Sequence, residues 1–490
     1  MSKSSRLRTL LKHSSILGLG QAVFYAIYFF GIRLILSTLP KEQIGELTYV
    51  QQWSTAALSI AMMTGYNTYI VHRLRSGTNL REVFSTVVWL RVIIGIVVAV
   101  FLAAMLAMIS SVSPVTTLIG CCAVALMSNS YTLRYTFELY HHARMEFGIL
   151  VALMIVDAVA IVIMLNVYAA HLSATIVLTI QTICTLPSVA ILLLRTRKNG
   201  HLYARIDKSA LEELFGTARP LSVVTALVYT HMLVDITLLQ RLAGSEMVGI
   251  YGGSLYAGLP LMVLQGVLWS PLIPLLSRSL VESPQSAEAE LSRGIRMVTL
   301  VIVCVACLLA ACMPLIIAIL TSGRFNDYQV EFYLQLLLAT LGSLVFATQS
   351  IGALIGHYRV SSLSAAMLLL GSLCFDWWLI SANQTNGLLV AKMLSNLLAI
   401  GAATVWWLRS RYHSVAWILV RSVVWIGFLA GAVWGTIVWI DSLILRSVLL
   451  ALVAGFSAYA IGILQWEDRA LIGVLMSRYR ASPYRSSEKC

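Results

Sequence analysis

The chain has 490 residues, 59% hydrophobic and only 11% charged, with a formal net charge of +13 and a mean hydropathy of +0.85. An ordinary soluble domain has about a quarter of its residues charged, so this apolar surface has no place in a water-soluble core. The composition excludes the soluble globular classes and predicts an all-α polytopic membrane protein with about fourteen transmembrane helices.

A basic start (Lys3, Arg6, Arg8 and Lys12) precedes the first apolar run, over 15–38. No small-residue cleavage site follows it, so the run reads as an uncleaved first span. Further apolar windows of about 20 residues follow at 46–70, 84–109, 115–136, 147–168 and 172–194. A basic, amphipathic stretch (LYARIDKSALEELF) then divides the chain near its middle and reads as a surface helix on the inner leaflet, with anionic lipid headgroups as the sharper alternative. Beyond it the windows resume at 218–240, 248–276, 297–321, 331–356, 359–381, 387–408, 415–438 and 444–465. Cys304 and Cys307 form a C-x-x-C inside an apolar run with no polar turn beside it, so buried thiols are expected there, with no metal site.

Charge placement gives the orientation. With these spans, nearly all of the 34 Lys and Arg fall on one side. The opposite side has only Lys41, Arg241, Arg324 and Arg446, and three cations lie inside spans: Arg33, Arg91 and Lys392. Both termini are therefore expected in the cytoplasm. The net charge follows from topology and calls for no nucleic acid. The acidic turn around Asn326 and Asp327 reads as an ordinary solvated outer loop.

An internal repeat runs through the chain. LPKEQIGELTYV after the first span matches LAGSEMVGIYGG after the seventh. Each has E-x-x-G at the start of the next span: Glu42 with Gly45, and Glu246 with Gly249. Basic positions at Arg73 and Arg278 end that next span in both halves. Two halves of like topology are a known transporter plan. The expected organisation is an N-lobe over 1–197, a cytoplasmic linker helix over 198–217 and a C-lobe over 218–410. Two extra helices over 411–466 and a cytoplasmic tail over 467–490 complete it. The two six-helix lobes are pseudo-symmetric.

The segments SSILGLGQ (14–21), GIRLILSTLPKEQIGELTYV (31–50), ARPLSVVTALVYTHMLVDITLLQRLAGSEMVGIYGGSLYAGLP (218–260) and LIPLLSRSL (272–280) carry a resemblance. The chain resembles the Wzx-type O-antigen and polysaccharide flippases, in the polysaccharide-transport branch of the multidrug/oligosaccharidyl-lipid/polysaccharide exporter superfamily. The resemblance implies two lobes in a V around a central cavity. It implies alternating access, and an undecaprenyl-pyrophosphate-linked oligosaccharide moved from the inner to the outer leaflet for O-antigen, capsule or exopolysaccharide synthesis. Polysaccharide polymerase machinery is an expected partner beside the phospholipid membrane. The same superfamily holds lipid II flippases and drug or cation antiporters, so the fold alone leaves these open. A membrane glycosyltransferase, O-antigen polymerase or ligase is the enzymatic alternative. The short outer loops and the repeat weigh against it, and no enzyme activity or cofactor is expected.

The charges inside the spans are the candidate site residues. At 100° per residue, Gly18, Ala22, Ala26, Phe29 and Arg33 share one stripe, with Gln21, Tyr25 and Tyr28 beside it. Ile16, Val23, Ile27, Phe30 and Leu34 lie opposite. Small residues at this spacing mark a helix contact or a cavity wall. Arg33 is then a cation for the pyrophosphate, its fork geometry suited to that group. Snorkelling to a nearby headgroup is the alternative. Arg91 and Lys392 extend the cationic path. His231 and Asp235 are four apart on one helical face. They read as a coupling-proton relay, driven by a H+ or Na+ gradient, or as a structural hydrogen bond. Asp157 and Asp376 read as partners for a cation on a neighbouring helix. Tyr25, Tyr66 and Tyr69 are candidate sugar contacts.

Overall fold

The computed structural model describes residues 3–62, 147–198, 208–282, 284–410, 412–439 and 443–463, with single helical positions between 86 and 104. Among the described residues there are helices and turns and no strands. We number the helices α1 (Lys3–Thr38), α2 (Lys41–Met62), α3 (Phe147–Val167), α4 (Ala174–Lys198), α5 (Lys208–Glu282) and α6 (Pro284–Ala311). They continue as α7 (Met313–Thr321), α8 (Gln329–Leu354), α9 (Tyr358–Leu408), α10 (His413–Trp439) and α11 (Leu443–Ala460). Eight helical segments among the described residues are long and apolar enough to cross a membrane. The protein is a multi-pass membrane protein. The windows 84–109 and 115–136 fall largely outside the described residues, and Tyr66, Tyr69 and Arg91 lie outside them.

Local chemistry sets the breaks between helices. Pro40 has no N–H to continue α1, while its carbonyl accepts from the Ile44 amide at 3.0 Å and starts α2. The predicted windows 218–240 and 248–276 join end to end as α5. The join is Gly244, at φ 84 and ψ 176, a conformation open only to glycine. The windows 359–381 and 387–408 likewise join as α9 through non-helical Asn383 and Gln384. The window 297–321 is divided into α6 and α7 at Cys312, with a proline in the first turn of α7 and left-handed Ser322 closing it.

Packing follows small residues. Gly20 of α1 sits on Val151 of α3, and Gly31 sits on Leu165 and Val162, so α1 and α3 lie against each other along these glycines. In the second half, Gly371 and Ser395 bring the two arms of α9 together. At the chain's far end, α10 and α11 are joined by Trp425 Nε1, which donates to the Ser457 hydroxyl at 2.9 Å. Glu288 of α6 accepts from the Ser414 amide at 2.9 Å and from its hydroxyl, capping α10. Large apolar side chains cover the outside, among them Phe30, Trp378, Phe428 and Phe456. A surface of this kind is suited to lipid rather than water.

Candidate functional site

Two features stand out, one at an end of the helix bundle and one inside it. The first grows from the E-x-x-G repeat. At the start of α2, a Cβ on Gly45 would lie 1.8 Å from the Ser245 carbonyl oxygen. Beyond the break in α5, a Cβ on Gly249 would lie 1.9 Å from the Lys41 carbonyl oxygen. Lys41 and Ser245 each stand four residues before their own glycine, so the contact is reciprocal. Each helix start rests on the glycine of the other, as a two-fold relation between equivalent segments requires. The same register continues one turn on, where Gly252 faces Thr48. No side chain fits between these backbones.

Polar contacts reinforce this crossing. Lys41 Nζ lies 3.8 Å from Glu246, donates to the Tyr328 hydroxyl at 3.2 Å and sits 4.3 Å from that ring's centroid. Arg324 Nη1 donates to the carbonyls of Ser37 at 3.1 Å and Leu39 at 2.8 Å. A cation on the last carbonyls of α1 also meets the negative end of that helix. Thr385 Oγ1 donates to the Met247 carbonyl at 3.1 Å. The turn expected to be an ordinary solvated loop is therefore a clasp: Arg324 and Tyr328 flank Asn326 and Asp327 and tie the second half of the chain to the first. Sequence reading missed both residues, because their partners are far away in the chain.

The second feature is a buried polar cluster formed by α5 and α9. His231 Nδ1 lies 3.3 Å from Asp235 Oδ1, and its Nδ1 also meets the Ser372 hydroxyl. Lys392 Nζ donates to Asp235 Oδ2 and lies 5.6 Å from the Tyr251 ring centroid. Asp376 is fully buried and adjoins Asp235 and Lys392. The expected His231 and Asp235 pairing on one helical face is present. Lys392, expected to line a cavity, is instead only 8% exposed and is bound to Asp235. The reason is electrostatic: a lysine at this depth is stable only beside a carboxylate. Asp376, on the first arm of α9, lies within electrostatic reach of Lys392 on the second, but neither of its carboxyl oxygens has a hydrogen-bond partner. Asp157 of α3 accepts a hydrogen bond from Ser188 of α4. Tyr251 and Ser372 were not singled out by the sequence, since neither residue type is unusual in a span.

Arg33 is exposed on α1, and among the described residues no carboxylate pairs with it. Its stripe-mates Ala22, Ala26 and Phe29 are exposed too. The helix-contact reading of that stripe is corrected: α1 packs through Gly20, Gly31, Ile32, Ile35 and Leu36. Tyr25 is half-buried, with its ring edge-on to Phe24 at 5.0 Å. Among the described residues, no group of three or more His, Cys, Asp or Glu could hold a metal ion. Cys304 and Cys307 are free thiols.

Comparison with known proteins fits this geometry. The pattern of a family described as polysaccharide biosynthesis protein matches residues 53–331. No curated protein matches the chain. Among solved structures, it is similar to the lipid II flippase MurJ in an inward closed conformation, at 11% identity and a TM-score of 0.65, over 91% of this chain and 99% of that one. It is similar to a multidrug resistance MATE family transporter in an inward-facing conformation, at 12% identity and a TM-score of 0.59, over 84% and 95%. A MOP superfamily transporter from Pyrococcus furiosus is similar at 12% identity and a TM-score of 0.60, over 83% and 96%. At these identities the likeness shows the fold.

Proposed function

Since the chain belongs to the polysaccharide biosynthesis protein family, whose pattern covers residues 53–331, we propose that it is a flippase for an undecaprenyl-pyrophosphate-linked oligosaccharide. It carries repeat units from the inner to the outer leaflet of the cytoplasmic membrane for surface polysaccharide synthesis, and it is not an enzyme. The reciprocal crossing of Gly45 and Gly249 is the observation that carries this reading. Two equivalent halves meet there at one end of the bundle. Charge placement assigns that end to the outside, because Lys41, Arg241, Arg324 and Arg446 are the cations of that side. A bundle clasped outside is the state that receives a substrate from the inner leaflet.

In this reading the lobes are 1–197 and 218–410, joined through 198–217, and both termini are cytoplasmic. Alternating access needs the clasp to open as the lobes rock. Arg33 takes the pyrophosphate in this reading. It is exposed on α1, near the helix end that Arg324 caps, and no carboxylate among the described residues pairs with it. Arg91 adds to the cationic path, and Tyr25, Tyr66 and Tyr69 offer ring faces to sugars.

Deletion followed by lipid analysis tests the proposal. Undecaprenyl-linked repeat units should accumulate on the inner leaflet while surface polysaccharide is lost. Normal surface polysaccharide in the deletion strain would refute it. Rescue of cells depleted of their lipid II flippase would instead assign the chain to peptidoglycan precursor transport.

A further inference from the structure

Helices α6, α8 and α10 do not close on one another along their whole length. Between them lies a slot of about 670 Å³, walled by Ala306 and Ala310 of α6, Leu337 and Thr340 of α8, and Ala430 and Val433 of α10. The alanines leave the gap, because a methyl group does not reach the facing helix. The walls are almost wholly apolar, and Thr340 Oγ1 is satisfied within its own helix, donating to the Leu336 carbonyl at 2.8 Å. Such a space holds no water, and left empty it forfeits the dispersion contacts of its lining. It opens toward the membrane, where Val330 and Trp434 line it and are exposed. What stands ready to fill it there is a lipid chain.

The dimensions and the polar end narrow the occupant. The lining runs from Tyr333 to Thr340 along α8, or about 10 Å, and from Ile426 to Ile437 along α10, or about 16 Å, at 1.5 Å per residue. That is the depth of one leaflet in a hydrocarbon core about 30 Å thick, and so the reach of one acyl chain. An undecaprenyl chain is several times too long for it. At the end nearest the clasp, one turn into α8, Tyr333 lines the slot, and its buried hydroxyl has no hydrogen-bond partner among the described residues. Helix α11 starts four residues after α10 ends and packs on both α10 and α6. Its first turn therefore stands at the same end and carries Arg446, only 8% exposed and within electrostatic reach of Tyr333. A guanidinium is shaped for a phosphate, so charge complementarity selects an anionic lipid.

We propose that the slot seats one acyl chain of an anionic glycerophospholipid from the leaflet at the clasped end. Its phosphate accepts from the Tyr333 hydroxyl and faces Arg446. The lipid fills the gap between α10 and the α6–α8 pair, and so joins the last two helices to the rest of the second half. It is a lipid held by the protein and distinct from any cargo, so its binding does not rest on the flippase reading.

Photolabelling of the purified protein in nanodiscs tests this without any transport. The probe is phosphatidylglycerol with a diazirine in one acyl chain, diluted in phosphatidylcholine, and the adducts are mapped by mass spectrometry. In the wild type they should concentrate on the slot walls, several-fold above the exposed face of α9 around Trp378. A phosphatidylcholine probe should label the walls several-fold less, and Arg446→Gln should remove that difference. Ala310→Phe with Ala430→Phe should fill the slot and abolish the wall adducts. Ala430→Leu, a smaller change, should lower them in part at an unchanged melting temperature. Wall labelling no stronger than that of α9, equal labelling by the two probes, or full labelling of both filled variants would each overturn the proposal. Displacement of the probe by undecaprenyl phosphate would overturn it too, since the slot would then belong to the cargo's tail.

Discussion

Gly45 and Gly249 lie against each other's helices with no room for a side chain: their Cβ atoms would fall 1.8 and 1.9 Å from the carbonyl oxygens of Ser245 and Lys41. Backbone oxygens do not yield as the tip of a flexible side chain does, so a methyl group at either position must push α2 and α5 apart.

Gly45→Ala and Gly249→Ala should therefore both open the clasped end, and by similar amounts, because the contact is reciprocal. Spin labels at the exposed positions Glu42 and Asp327 would report this as a longer distance population in each variant. An effect confined to one of the two glycines would contradict the two-fold relation.

Arg324 holds the same end through the carbonyls of Ser37 and Leu39. Hydrogen bonds from a charged donor contribute about 1.5–3 kcal/mol when shielded, and less at this exposed site. Arg324→Gln should shift the same label pair toward the open population more weakly than either glycine variant. An unchanged distribution would mean that the guanidinium does not hold the clasp.

The buried pair of Lys392 and Asp235 gives a stability prediction. Removing one member of a buried ion pair costs about 3–5 kcal/mol, because the other charge is left alone. Lys392→Met should lower the melting temperature strongly. Asp235→Asn combined with Lys392→Met should recover most of the loss. Additive losses in the double variant would show that the two side chains do not depend on each other.

Arg33 is predicted to act on substrate rather than on folding, since it is exposed and makes no ion pair among the described residues. Arg33→Ala should abolish surface polysaccharide at normal expression and melting temperature, and Arg33→Lys should restore it only in part, since lysine lacks the guanidinium fork. Full complementation by Arg33→Ala would leave snorkelling as its role.

Much of the architecture was legible because lipid imposes a simple code. Apolar windows, charge asymmetry and the E-x-x-G repeat can be read without knowing any contact. The repeat even located Gly45 and Gly249, although not that they touch. What escaped was pairing over long chain distances. Nothing local to Arg324 says that its guanidinium caps α1. Nothing local to Lys392 says that Asp235 neutralises it, and in the sequence a buried, paired lysine looks the same as one facing a cavity. A helical wheel alone does not separate the faces of α1, where Gly20 and Gly31 meet α3 while Ala22 and Ala26 are exposed.

The most direct test of the central claim is transport by the purified protein. It should be reconstituted in liposomes whose inner leaflet carries a labelled undecaprenyl-pyrophosphate-linked oligosaccharide, with the label's exposure to an impermeant reagent outside as the readout. The wild type should bring the label to the outer surface faster than empty liposomes do, and Gly45→Ala should not. Equal exposure with and without the protein would contradict the claim.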